Sequence, residues 1–97
     1  MEMYDPPHPG LVLREYIGNK SIKEVAQRLD IERNTLLRIL HGKENITAEM
    51  AVRLSILLGT SSKMWLGMQE DYDLWQAKQR HNYDSVIPLS QPLLATA

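Results

Sequence analysis

Residues 33–41, RNTLLRILH, bring together side-chain types that read nucleic acid within about two helical turns. An arginine fork matches O6 and N7 of guanine, an asparagine amide pairs with N6 and N7 of adenine, and a leucine methyl can meet the thymine methyl. Arg33, Asn34, Leu37 and Arg38 are therefore the candidates for contact with base edges. Ser21, Lys23, Thr35, His41 and Lys43 carry the hydroxyl, ammonium and imidazole groups that suit phosphate oxygens. A helix opening at Ser21 would add free N–H groups and a dipole that attract an anion.

The remaining chemistry-bearing residues form no comparable set. His8, His41 and His81 are far apart, with no carboxylate or cysteine at metal-ligand spacing, and read as surface or capping histidines. Glu70-Asp71-x-Asp73 points in successive directions around a helix, which suits a solvated face rather than paired catalytic carboxylates. Ser61-Ser62 has no base nearby, and no glycine-rich phosphate loop is present. Cysteine is absent, which excludes disulfides, thiolate metal sites and cysteine nucleophiles and fits a reducing cytoplasm. The expectation is a binding protein with no catalysis, metal or cofactor.

The element that must position the candidates is Ser21 to Gly42, which reads as two short helices joined by Asp30-Ile31-Glu32. In the first, Ile22, Val25, Ala26 and Leu29 form one apolar stripe, and Ser21 with Glu24 forms a capping box. The second runs from about Arg33 to His41, with Leu36, Ile39 and Leu40 inward and Gly42 ending it in a left-handed C′ conformation. Ala26 lies where the helices cross, so a larger side chain would part them, and Ile31 plugs the corner. An amphipathic hairpin in any all-α domain shows similar apolar spacing. Stripe, cap, short turn, small residue and terminal glycine together favour a helix-turn-helix, with Arg33, Asn34, Leu37 and Arg38 left outside.

On either side of this motif the signals are helical. Residues 1–9 carry three prolines and read as an extended lead-in, and a first helix follows from about Gly10 to Tyr16 or Ile17. Its core-facing set is Leu11, Leu13 or Arg14, and Ile17, and Gly18-Asn19 ends it. Thr47 caps a fourth helix from Ala48 to about Leu58, burying Ala51, Leu54, Leu57 and Leu58, with Gly59 closing it. Ser61 or Ser62 caps a fifth, about Lys63 to Lys78, with Trp65, Met68, Tyr72 and Trp75 in a broad stripe. This stripe serves either the core or a dimer interface. Assigning Trp65 to the core, and Trp75 with Val86, Ile87, Leu89, Leu93 and Leu94 to contact with another chain, uses both. Two prolines bar a regular helix from the 80–97 tail. The fold class is all-α: a five-helix domain over 10–79 containing the motif 21–42, with a short extended C-terminal tail.

The net charge of −1 is mildly unfavourable for a DNA-binding protein, but its distribution is not. Leu11 to Lys43 holds seven basic against four acidic residues, while Glu44 to Asp84 holds six acidic against four basic. One half suits DNA, the other a basic partner or a dimer mate. With no signal peptide and no apolar run near 18 residues, a membrane role has no support.

HPGLVLREYI followed by SIKEVAQRLDIERNTLLRILHGKENITAEMAVRLSILLGTSSKMWLGMQEDYDLW resembles the XRE (lambda repressor-like) family, and within it the HigA antitoxin branch, over Pro7 to Gln79. The HPG opening, the ITAEMAVRLS helix and the SSKMWLGMQEDYDLW ending are its specific part. The resemblance implies a lambda repressor-type domain that binds double-stranded, palindromic operator DNA as a homodimer. It also implies an antitoxin that sequesters a small HigB-type ribonuclease toxin and represses their shared operon. Two positions depart from the pattern: Asp30 stands where glycine is usual, and Glu32 opens the recognition helix where Ser or Thr is common. The alternatives are a stand-alone XRE repressor without a toxin, and an interaction module that has lost DNA binding.

Overall fold

The computed structural model describes residues 5–90, and among them five helices and no strand: α1 Pro9–Ile17, α2 Ile22–Leu29, α3 Arg33–Leu40, α4 Ala48–Leu58 and α5 Ser62–Arg80. Local chemistry sets the starts. The side-chain oxygens of Ser21, Thr47 and Ser61 accept the backbone N–H groups of Glu24, Met50 and Met64, satisfying one free donor at each N-terminus. Ser62 is thereby the first residue of α5. The helix continues past Lys78 to Arg80, whose guanidinium donates to Gln76 one turn back. The capping box at Ser21 forms by half: Glu24 turns its carboxylate to Arg28 at 2.9 Å.

The core is built from Leu13, Ile17, Val25, Ala26, Leu29, Leu36, Ile39, Leu40, Ile46, Met50, Ala51, Leu54 and Trp65. Leu57, Leu58 and Met68 pack against it half-buried. Leu11 departs from expectation and is 44% exposed. The inward side of α1 is Pro9, Gly10, Leu13 and Ile17, and helical geometry carries Leu11 to the opposite side together with exposed Arg14. α5 lies against α4 and α1, while α3 is held between α1 and α2. Trp65 is fully buried, with its indole N–H donating to Thr60 Oγ1 at 2.7 Å, and Trp75 is half-buried.

Beyond Arg80 no helix follows among the described residues, and residues 81–90 are exposed throughout. Val86, Ile87 and Leu89 touch no core; Leu93 and Leu94, with the first four residues, lie outside the described residues. No described helix is long and apolar enough to cross a membrane.

Candidate nucleic-acid interface

The turn between α2 and α3 is made by Asp30, the one described non-glycine residue at positive φ (59°). Aspartate tolerates the left-handed region. Ile31 N–H then donates to Ala26 O at 3.1 Å, closing the turn back onto α2. Ala26 is buried in the core. Glu32 occupies the N-cap of α3 without a side-chain hydrogen bond, so this helix starts less firmly than the others. Gly42 ends it at φ 72°.

On α3, Leu36, Ile39 and Leu40 face inward, which aims Asn34 and Arg38, one turn apart, directly outward. Arg33 is exposed at the N-terminal end, and Thr35 and Leu37 are half-buried on the two flanks. Leu37 lines a surface depression with Arg14, Ile17, Gly18, Ile22, Leu40 and His41, between α1, the start of α2 and α3. Arg14, one of the basic residues of the first half and an alternative for the core face of α1, is exposed and contributes a cation beside this face. Ser21, Lys23, His41 and Lys43 are exposed. Arg38 is not free: its Nε donates to Glu44 Oε1 at 2.8 Å.

The surface is held in place by residues from the lead-in, α1, α4 and α5. His8 is buried, with Nδ1 accepting the Gly10 N–H at 2.9 Å as the N-cap of α1. Its ring meets Tyr72 edge-on at 4.9 Å, and its Nε2 has no hydrogen-bond partner. Burial pushes this imidazole below its ordinary pKa, against the opposing pull of Asp73 and the Glu44 backbone. At Gly10 a Cβ would stand 1.8 Å from the Ile39 carbonyl oxygen, so α1 meets α3 backbone to backbone. Arg53 reaches from α4 to donate to the carbonyls of Leu29 and Asp30 at 2.8 and 3.1 Å, satisfying the end of α2. Gln69, buried on α5, accepts the Ile46 N–H and donates to Asn45 and Asp73. No group of three or more His, Cys, Asp or Glu among the described residues has metal-binding geometry.

Residues 13–65, more than half of the chain, match the Helix-turn-helix family. The chain belongs to the XRE-type helix-turn-helix family, on its HigA branch. An HTH-type transcriptional regulator of Escherichia coli K12, YddM, is 37% identical over 81% of this chain and 86% of its own length. An addiction-module antidote protein of the HigA family from Coxiella burnetii superposes with a TM-score of 0.80 at 33% identity, covering 90% of this chain and all of that one. The Pseudomonas aeruginosa antitoxin HigA, solved with the higBA promoter, superposes with a TM-score of 0.78 at 32% identity, over 92% and 99% of the two chains. The family match spans every candidate contact residue from Ser21 to Lys43.

Proposed function

We propose that this protein is a DNA-binding antitoxin and autorepressor. It binds a palindromic operator as a dimer, each α3 entering the major groove of one half-site, and it neutralises a small ribonuclease toxin of the HigB kind. The observation that carries the reading is the outward line of Asn34 and Arg38, flanked by Arg33 and Leu37, on a domain that superposes on a HigA antitoxin solved with its promoter. Base readout falls to Arg33, Asn34, Leu37 and Arg38. Phosphate contact falls to Ser21, Lys23, Thr35, His41 and Lys43, with Arg14 added by its position. The work is binding, with no catalytic step.

Two-fold pairing would use the second half of the chain, leaving α3 free. Trp75, with Val86, Ile87 and Leu89, presents apolar surface there that the described fold leaves partly or wholly uncovered. The tail residues Leu93 and Leu94 extend the same proposal.

The test is selection of duplexes from a random pool by the purified protein, followed by gel shifts and light scattering. Enrichment of an inverted repeat bound by two chains supports the reading, and failure to enrich any sequence overturns it. Co-expression with the neighbouring reading frame, if that frame is short and basic, separates an antitoxin from a stand-alone repressor by co-purification.

A further inference from the structure

Arg38 differs from its neighbours on the recognition face in being held. Its Nε donates to Glu44 Oε1 at 2.8 Å, with the two side chains 55% and 39% exposed. Arg33, by contrast, forms no ion pair among the described residues. A guanidinium has five N–H donors, and engagement through Nε leaves the end-on edge, formed by one N–H from each of Nη1 and Nη2, uncommitted. Those two form the fork that pairs end-on with guanine O6 and N7.

The backbone on either side of this carboxylate is itself anchored. Just before it, the Lys43 N–H donates to the Arg38 carbonyl at 2.8 Å. Just after it, Asn45 Oδ1 accepts from Gln69 at 3.2 Å and the Ile46 N–H is bound by the same buried amide at 2.7 Å. Glu44 thus stands between two anchors, one on α3 and one on α5, which place its backbone within reach of Arg38. An arginine left to rotate would spend entropy on choosing a rotamer at each encounter, and would meet phosphates as readily as bases.

Resting on the reading of α3 as the recognition helix, we propose that Glu44 is a specificity-determining positioning residue: it grips Arg38 by Nε and presents the guanidinium tips to one base pair while keeping them off the phosphates. The two roles of a carboxylate here give opposite signs. As a bare negative charge near DNA, Glu44 would weaken binding to every sequence alike, and its removal would strengthen all of them. As a positioning group, its removal weakens the preferred site while binding to other DNA stays level or tightens.

The experiment compares wild type, Glu44→Gln, Glu44→Ala, Arg38→Ala and the double variant Arg38→Ala/Glu44→Ala. Each is titrated with the duplex that wild type enriches from a random pool and with a shuffled duplex of the same composition, at fixed salt. The expected result is an affinity ratio between the two duplexes lowered about tenfold by either Glu44 substitution, with discrimination lost at one base pair. In the Arg38→Ala background, Glu44→Ala should leave the ratio unchanged, because the group it positions is gone. An exposed ion pair adds little stability, so the melting temperature of Glu44→Gln should stay near wild type. A ratio unchanged by both Glu44 substitutions, or lowered equally with Arg38 absent, overturns the proposal. Enrichment of no sequence by wild type overturns instead the assignment of α3.

Discussion

The side-chain oxygen of Gln69, on α5, accepts the backbone N–H of Ile46 at 2.7 Å, across 23 residues of chain. Both residues are buried, and the same amide donates to Asn45 and Asp73. A loop that carries the chain from the recognition helix to α4 has no ladder partner for its N–H groups, and Gln69 supplies one from within the core.

Replacing Gln69 by Leu keeps the volume but leaves the Ile46 N–H buried and unpaired. The expected cost is about 1–3 kcal/mol. Thermal melting followed by circular dichroism should show a clear fall in Tm. An unchanged Tm would mean that water or another group takes over the bond.

Direct readout makes Arg33 and Asn34 separable from the fold. Each is exposed, so Ala at either position should leave the melting temperature nearly unchanged. Operator binding should weaken by about 1–3 kcal/mol, with preference relaxed at one base position. Gel shifts in which both variants bind like wild type would remove them from the interface.

At the crossing of α2 and α3, Ala26 is 3% exposed. Ala26→Leu has no space for three added carbons and should cost about 1–3 kcal/mol, with DNA binding falling as α3 is displaced. Gly10→Ala should be at least as damaging, because its Cβ would collide with the Ile39 carbonyl, a backbone group that no side-chain rotation can move. Wild-type melting in either variant would contradict the packing described.

His8 gives a pH dependence with a definite sign. Its Nδ1 accepts the Gly10 N–H, so the folded state holds the neutral ring with its proton on Nε2. Burial lowers the folded pKa below the ordinary 6.5, while the unfolded chain keeps the ordinary value. The unfolded state therefore binds the proton first. The contribution of neutral His8 to stability is complete above about pH 6.5 and is lost progressively as the pH falls through the lowered folded value. His8→Asn keeps an N-cap acceptor without a titrating ring. Denaturant midpoints measured from pH 7.5 down to 5 should fall more steeply for wild type than for His8→Asn, and parallel curves would show that His8 does not titrate on unfolding.

Short-range patterns carried most of the fold. The stripe Ile22, Val25, Ala26, Leu29, the caps at Ser21 and Thr47, the left-handed Asp30 and Gly42, and the uncapped Glu32 are each decided within a few residues. That is why the helix-turn-helix and the outward set Arg33, Asn34 and Arg38 are legible in the sequence. What tertiary structure alone decided lies in contacts between distant positions: Arg53 on the carbonyls ending α2, Gln69 on the loop after α3, His8 enclosed against Tyr72, and Gly10 pressed on Ile39. It also turned Leu11 to solvent, brought Arg14 beside Leu37, and gave Arg38 a carboxylate partner. A hydrogen bond or a close approach depends on where two segments meet in space. Periodicity within one segment has no record of that meeting.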